Sequence, residues 1–549
     1  MAQVAQAPAY GGLRQTSFDK PRSSSQDEEE VVSVRAIPGA NDERDREVRI
    51  SCPDATGLGC DIARLLLDFG LRIMDGDVST DGRWCFMIFK VTLGQAMPPH
   101  WSLLRRRLEA ICPSTHGDHS MWRYTSRTRD TQHPFLLQVT SYDRRGFLHD
   151  LMNTLWEADV VVFKAHITTG PGGKVLDMFW IYDNRCELPE NHRVLQITEL
   201  VRDCLQQRDA NCTILPAPPE TCDQDATATI LQRRACKDAT SVLPLRKILS
   251  NKRSGKSGSL SSAEVTSASD DFGTPETVQV TIDNCTSSNY SVVSIVCKDR
   301  KGLIYDLMRT LKDIHVRVAY AKIKVHGETA ETDLFVEEAD GQRVKESRMK
   351  RAQSTPHAMT LRQASIEPFG SLHGSNGYGA LMEEQKLKNR EIEAELMERI
   401  RAAVLLPVRI DVKDVYDETC TELRVTAALD SGGRGRPRVT YDVTAALANM
   451  GLYVFMADVY MEAQCGDEEY APPQELHRFL VHCRDGGRLE TLAQKRAVYE
   501  AVRAQLTGTA PGPPSRDPPS LNQSPTKNGG PPTIPKSLVD SLSKWKWSA

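Results

Sequence analysis

A stretch of thirteen residues that occurs almost unchanged at two places constrains the fold of this chain most strongly. The letters DRRGFLHDLMNTL begin at Asp143, and DRKGLIYDLMRTL begins at Asp299. An alternating apolar run precedes each copy, and an apolar run that contains an aspartate follows each. Internal repetition of this kind predicts several modules of one supersecondary type, since 549 residues are too many for one core.

Each copy shows the same order of predicted elements. A short alternating strand ends at a turn that carries glycine, and a helix begins there. In the second copy an apolar stripe at helical spacing is formed by Leu303, Ile304, Leu307, Met308 and Leu311. Two strands, a second helix and a closing strand follow. The order is therefore βαββαβ, the ferredoxin-like arrangement.

The same template finds one more copy upstream and a weaker, degenerate copy downstream. We predict an α+β protein of four ferredoxin-like modules whose sheets pair side by side, because an isolated four-stranded sheet leaves its edges exposed. The predicted modules are 47–126, 133–216, 277–413 and 419–506. The remaining segments have polar, low-complexity compositions and are predicted to be disordered: the N-terminal tail 1–46, the Ser-rich linker 217–276, an insertion at 347–380 within the third module, and the C-terminal tail 507–549.

Composition bears on the partners and on the compartment. The net charge of −4 does not provide the concentrated basic face of a nucleic-acid binder, and no apolar run reaches the roughly 20 residues of a spanning helix. The fourteen cysteines form no Cys-x-x-Cys pair and lie largely in apolar runs, which indicates buried, reduced thiols. We therefore expect a cytoplasmic protein that binds neither nucleic acid nor membranes. A chloroplast transit peptide in the first 26 residues, whose single acidic residue is Asp19, is the alternative.

In three modules the turn between the first strand and the helix reads Asp-x-x-Gly. A helix N-terminus offers unpaired N–H groups and partial positive charge, so it can hold a carboxylate. Glycine has no Cβ and lets a small anionic ligand approach the backbone. The alternative is that glycine only permits a tight turn. The fourth module has Gly435 and Arg438 at these positions, so we expect it to act as a packing partner.

An aspartate recurs four residues after each turn, at Asp61, Asp150, Asp306 and Asp442. Each falls in the first turn of its helix, where the helix dipole favours a carboxylate by about 0.3–1 kcal/mol. Capping explains this recurrence, and we do not predict that these aspartates are catalytic.

Enzyme motifs occur in the chain but lack their context. The His149-Asp150 pair suits a metal phosphohydrolase, yet the other modules have no histidine there, and no pattern of further ligands is visible. Gly255-Lys256-Ser257 matches the end of a phosphate-binding loop without the first glycine or the strand and helix around it. We predict no catalytic residue, no metal site and no cofactor.

The turns and their βαββαβ context resemble the ACT domain, a small regulatory module. The phrases that carry the resemblance are CPDATGLG, DRRGFLHDL, DRKGLIYDLMRTLKD and GRPRVTYDVTAAL. Four such modules in one chain look closest to the four-module subgroup of the plant ACT-domain-repeat (ACR) proteins. They are also similar to the sensory C-terminus of the bacterial PII uridylyltransferase, without its enzyme.

This resemblance implies a non-catalytic regulatory protein that binds amino acids and acts as a metabolite sensor. In ACT domains the ligand lies between two modules, near the first turn. The implied partners are free amino acids, an unidentified regulated protein and a second copy of the chain. The alternative is an interaction scaffold with vestigial sites. The site residues carried over by the resemblance are Asp54, Gly57, Leu58, Asp143, Gly146, Phe147, Asp299, Gly302 and Leu303.

Overall fold

The structure is a computed structural model, and it describes fifteen stretches of the chain. These are residues 30–39, 43–94, 100–113, 134–170, 173–207, 210–217, 265–266, 278–284, 287, 290–338, 393–405, 407–415, 420–462, 474–483 and 487–508. Most of the predicted tails, linker and insertion lies outside the described residues.

The described residues form four groups of strands and helices. The first contains β1 (Val32–Ala36), β2 (Asp45–Pro53), α1 (Leu58–Asp68), β3 (Leu71–Thr80), β4 (Trp84–Leu93) and α2 (Trp101–Ile111). The second contains β5 (Phe135–Tyr142), α3 (Phe147–Glu157), β6 (Val160–Thr169), β7 (Lys174–Asp183), α4 (Asn191–Leu205) and β8 (Asn211–Pro216). A two-residue strand, β9 (Val265–Thr266), follows.

The third group contains β10 (Gln279–Asp283), β11 (Ser291–Lys298), α5 (Leu303–Asp313), β12 (Val316–His326), β13 (Thr329–Glu338) and α6 (393–405). The fourth contains β14 (Val408–Val415), β15 (Cys420–Ala428), α7 (Val439–Asn449), β16 (Tyr453–Glu462), β17 (Gln474–His482) and α8 (Leu492–Thr507). We call these groups modules 1 to 4. The predicted α+β class and the four ferredoxin-like modules are confirmed.

The modules pair alternately along the chain, and all strand pairs are antiparallel. Modules 1 and 3 form one sheet in the order β1-β2-β4-β3-β12-β13-β11-β10. Modules 2 and 4 form the other in the order β8-β5-β7-β6-β16-β17-β15-β14-β9. The two seams match: β3 pairs with β12, and β6 pairs with β16. The predicted side-by-side pairing is confirmed, and each sheet takes one module from each half of the chain.

Three edge strands differ from the sequence prediction. The strand at 408–415, assigned to the third module, pairs instead with β15 of module 4. β1 lies within the tail predicted to be disordered and pairs with β2, and β9 lies within the predicted linker and pairs with β14. In modules 1, 3 and 4 the fourth strand of the sheet is therefore an edge strand that precedes the first core strand in the sequence. Only module 2, among the described residues, closes with a strand that follows its second helix.

The helices of the two sheets lie against each other. Apolar side chains of α5, namely Leu303, Leu307 and Leu311, are buried on the first sheet, as the helical spacing predicts. Alternate residues of β4 and β7 face their helices in the same way. Burial of each such side chain contributes about 1.5–3 kcal/mol. Trp156 of α3 and Tyr441 of α7 also pack on the core of the first sheet, so the layer between the sheets contains residues of both.

Candidate ligand sites at the strand-to-helix turns

The four turns between the first core strand and the helix share one backbone geometry. Gly57, Gly146 and Gly302 precede α1, α3 and α5 with φ of 85°, 75° and 82°, in the left-handed region where glycine is favoured. Arg438 holds the same conformation before α7, with φ of 66°. A side chain in this conformation costs about 1–2 kcal/mol. The fourth turn therefore keeps an arginine against a backbone preference for glycine.

The turns of modules 1 and 3 are tied to each other across their seam. Asp54 accepts a hydrogen bond from Arg317, at 2.8 Å, and another from Thr80. In the reciprocal contact, Asp299 of module 3 accepts a hydrogen bond from Arg72 of module 1. Arg72 and Arg317 are each the second residue of the seam strand in their module. The two predicted site aspartates thus serve the pairing of the modules.

Protein side chains fill the space beside the glycines of these two turns. A Cβ added to Gly57 would lie 2.7 Å from Cε of Lys312, and one added to Gly302 would clash with Nη2 of Arg436. Leu58 and Leu303, also predicted as site residues, are buried in the core. The turns of modules 1 and 3 therefore offer a ligand no space in this conformation.

The turn of module 2 differs, because a Cβ at Gly146 would meet no described atom closer than ordinary van der Waals contact. A Cβ added there would first meet Ala448 of module 4, at 3.8 Å. A cavity of about 20 Å³ adjoins this turn, with room for roughly one water molecule. We call it the module 2 pocket; its lining includes Asp143, Gly146, Phe147, Asp177, Ala448 and Tyr453.

Two carboxylates in the module 2 pocket are poorly satisfied. Within the part of the chain that the structure describes, the fully buried Asp177 has no close hydrogen-bond partner and only the more distant backbone N–H of Thr168 favours its ionised form, and Oδ2 of Asp143 has no partner. Burial raises the pKa of Asp143 to about 6, against the opposing effect of the Arg144 N–H. Burial also raises the pKa of Asp177 well above its usual range. Such groups favour a cationic or hydrogen-bond-donating ligand.

A larger cavity, of about 170 Å³, lies beside the turn of module 4. We call it the arginine cavity, because five arginines line it: Arg64, Arg107, Arg434, Arg436 and Arg438. Three carboxylates, Asp68, Asp159 and Glu475, also line it. The expectation that module 4 only packs is therefore incomplete, since its turn borders the larger of these two cavities.

The two cavities occupy equivalent ends of the seam between modules 2 and 4. Asp177 pairs with Val139, three residues before the end of β5, and His477 pairs with Val425, three residues before the end of β15. The buried acid of module 2 therefore corresponds to a buried histidine in module 4. The same framework offers carboxylates at one end and mainly guanidinium groups at the other.

The recurrent helix aspartates form ion pairs, three of them between modules. Asp61 pairs with Arg434 at 2.7 Å, Asp306 with Arg436 at 3.4 Å, and Asp442 with Lys301 at 2.7 Å. Asp150 pairs with Arg144 of its own turn, at 2.6 Å. Capping alone therefore does not account for them: these residues hold the arginines and lysines of the layer between the sheets.

No metal-binding cluster stands out in the described stretches. Among those residues there is no cluster of three or more His, Cys, Asp or Glu side chains that could hold a metal ion. His149, of the His-Asp pair, packs its ring on Tyr441 with centroids 4.6 Å apart. The helices within the described ranges are too short or too polar to cross a membrane.

Sequence reasoning missed Asp177 and the arginines of the fourth turn as site residues. Asp177 stands within the apolar run of β7, and a lone aspartate there signals a buried polar position. Arg434, Arg436 and Arg438 alternate along five residues of one loop, and that charge density was the available signal.

The fold and its glycine turns define a protein of repeated ACT modules, and comparison with known families agrees. Three family models match: "ACT domain-containing protein ACR10, N-terminal" at residues 37–113, "ACR9-like, ACT-like domain" at 279–365, and "ACT domain-containing protein ACR9, C-terminal" at 421–508. The chain is 30% identical over 444 residues to ACT domain-containing protein ACR10 of Arabidopsis thaliana, covering 80% of this chain and 90% of ACR10. The chain belongs to this family of ACT-domain ACR proteins.

A second relative and one solved structure complete the comparison. ACT domain-containing protein ACR9 of Arabidopsis thaliana is 28% identical over 468 residues, which cover 84% of this chain and 94% of ACR9. An aspartate kinase from Synechocystis is 12% identical, and the match covers 86% of this chain and 55% of the kinase with a TM-score of 0.14. At that score the structural likeness carries no argument.

Proposed function

We propose that this chain is a non-catalytic regulatory protein that binds a free amino acid in the module 2 pocket and senses its concentration. The observation that supports this most directly is the pair of buried, poorly satisfied carboxylates, Asp143 and Asp177, beside the N-terminus of α3. Of the three predicted Asp-x-x-Gly turns, this turn has space beside its glycine in the part of the chain described here.

The two ends of the pocket suit the two charges of an amino acid. The N–H of Phe147 donates to the carbonyl oxygen of Arg144, at 3.0 Å, whereas the N–H groups of Leu148 and His149 in the same first turn have no partner within the helix and suit a carboxylate. Asp143 and Asp177 lie on the strand side and suit the ammonium group. Bound ammonium would favour the ionised form of both aspartates and offset the unfavourable burial of their charges.

The size of the pocket implies that binding moves the seam. A space of about 20 Å³ holds one water molecule, whereas an amino acid is several times larger. Tyr453 and Ala448 of module 4 close the pocket, so these residues must move away from Gly146 to admit the ligand. Binding would thereby favour a conformation in which modules 2 and 4 are repositioned. A regulated partner can bind the two conformations with different affinity.

The scaffold alternative applies best to modules 1 and 3. Their turns are filled by Lys312 and Arg436, and their site aspartates hold arginines across the seam. Trp84 and Phe86 of β4 are 41% and 43% exposed on the open face of this sheet, a surface suited to a partner protein or a second copy of the chain. We propose that these modules support the sensing pair.

A cytoplasmic site of action forms part of the proposal, with the chloroplast as the alternative. The described cysteines are free, and Cys52 and Cys85 keep their Sγ atoms 3.6 Å apart without a disulfide. Unbonded neighbouring thiols suit a reducing compartment.

The test is a thermal-shift screen of the full chain with the twenty amino acids, followed by analogues of each hit. A sensor of this design loses affinity for the N-acetyl analogue, which lacks the ammonium group, and for the decarboxylated amine, which lacks the carboxylate. Retained affinity for both analogues, or no hit at millimolar concentrations, would argue for the scaffold.

A further inference from the structure

A second binding site is suggested by two buried arginines in the loop of module 4. Arg434 and Arg436 are 3% and 6% exposed, and both line the arginine cavity. In the portion of the chain that the structure describes, Nη1 of each has no hydrogen-bond partner. A buried guanidinium nitrogen without an acceptor is costly, so each is an unexplained donor on a residue that lines the cavity.

Hydrogen bonds to residues outside the cavity lining hold both guanidinium groups in place. Arg434 donates from Nε to Asp430, at 2.8 Å, and from Nη2 to Asp61, at 2.7 Å. Arg436 donates from Nη2 to the carbonyl oxygen of Lys301, at 3.2 Å. Anchoring of this kind fixes a planar donor before a ligand arrives, which lowers the entropic cost of binding.

The cavity has the size and charge for a compact dianion. Its volume of about 170 Å³ exceeds that of the module 2 pocket by a factor of more than eight. The five arginines of the lining outnumber its three carboxylates, although Arg107 is paired with Asp159 at 2.8 Å and Arg438 with Asp442 at 3.3 Å. Guanidinium groups bind carboxylates and phosphates through paired hydrogen bonds, and several of them around one cavity favour a ligand with two negative charges.

We infer that the arginine cavity, enclosed by modules 1, 2 and 4, is a binding site for a small dianion, either a dicarboxylate or a phosphate ester. The site is distinct from the module 2 pocket in its position and in its ligand, which is a dianion here and a zwitterionic amino acid there. Because its walls come from both sheets, a bound dianion stabilises the contact between the two module pairs. The protein then responds to two classes of metabolite.

The test uses thermal stability of the full chain at constant ionic strength, with succinate and inorganic phosphate as probes and with acetate and chloride as monovalent controls. The expected result is a saturable rise in melting temperature with at least one dianion. Arg434→Gln and Arg436→Gln should weaken the apparent affinity at least tenfold. Arg434→Lys keeps the charge and loses the planar fork, so it should bind more weakly than wild type even if the glutamine variants fail to fold.

The matched control is Arg185→Gln. Arg185 pairs with Asp159 of the cavity wall, at 2.8 Å, but is not itself part of the lining. This variant should keep the wild-type dianion response, and so should Gly146→Arg, which obstructs the module 2 pocket alone. Preference for succinate indicates a dicarboxylate ligand, and preference for phosphate indicates a phosphate ester. A response no larger than that to chloride, or equal weakening in Arg185→Gln and Arg434→Gln, overturns the inference and leaves the amino-acid proposal untouched.

Discussion

Arg436 of module 4 occupies the space beside Gly302 of module 3, where the resemblance to ACT domains places a ligand. Its Nη2 donates to the carbonyl oxygen of Lys301, one residue before that glycine, and its Nε pairs with Asp306 of α5 at 3.4 Å. An arginine of the same chain thus takes the position beside the turn. The fourth module, which has lost the Asp-x-x-Gly sequence, supplies that arginine.

Removal of Arg436 should destabilise the whole protein. Arg436→Gln leaves Asp306 buried with Arg300 as its remaining ion-pair partner, so we expect a loss of about 2–4 kcal/mol in the free energy of unfolding. Urea unfolding of wild type and variant measures the loss. Arg49→Gln breaks the more exposed pair with Glu47 and should change stability by less than about 1 kcal/mol. Equal effects of the two variants would contradict the role assigned to Arg436.

The pair of Arg317 and Asp54 should contribute to the seam of modules 1 and 3. Arg317→Asp places two carboxylates together and should cost about 1–3 kcal/mol, part of which Asp54→Arg in the same chain recovers. A double-mutant cycle by urea unfolding gives the coupling energy. Additive effects of the two substitutions would show that these side chains do not interact in solution.

Stability should fall as pH rises through the range in which Asp143 ionises. The carboxyl group has a pKa of about 6 in the folded chain, raised by burial, and an ordinary value near 4 in the unfolded chain. Below about pH 4 both states are protonated. Between about 4 and 6 only the unfolded state releases the proton, so folding loses up to about 2–3 kcal/mol, and above 6 the loss is complete.

Asp143→Asn should therefore flatten the dependence of melting temperature on pH and raise stability near pH 7. Asp177→Asn should act in the same direction, because burial also raises the pKa of that group. Asp150→Asn is the control, since Asp150 is 43% exposed and paired with Arg144. A pH profile unchanged by both pocket substitutions would show that the aspartates are not buried as described.

The sequence predicted the module core well and the module edges poorly. Helical spacing at Leu303, Leu307 and Leu311 and the repeated glycine turn report local structure, which each segment encodes by itself. Whether an edge strand such as β1 or β14 precedes or follows its module depends on pairing with a distant strand. Local patterns do not carry that information.

The candidate ligand site was also predicted only in part, because it too depends on contacts between modules. The turn glycines follow from the repeat, but whether each turn has space for a ligand depends on side chains from another module. Lys312 and Arg436 fill two turns that are identical in pattern to the one at Gly146. No spacing within a module predicts such a contact, because it depends on how the modules pair.

The alternate pairing of modules predicts that the two halves of the chain hold together when cut. A protease site inserted within residues 218–264, between modules 2 and 3, leaves each sheet with one module from each fragment. After cleavage the fragments should co-elute as one species in native size-exclusion chromatography and separate in denaturant. Elution of two separate fragments under native conditions would contradict the strand pairing of β3 with β12 and of β6 with β16.

Calorimetric titration of three matched proteins with the amino acid found in the screen tests the proposed function most directly. Gly146→Arg places a side chain in the module 2 pocket, whereas Gly327→Arg carries the same change at a hairpin glycine with φ of 63° and no described atom within 4 Å. Both variants bear similar backbone strain. We predict that Gly327→Arg binds like wild type and that Gly146→Arg binds at least tenfold more weakly per folded molecule. Wild-type affinity in Gly146→Arg would contradict an amino-acid site at this turn.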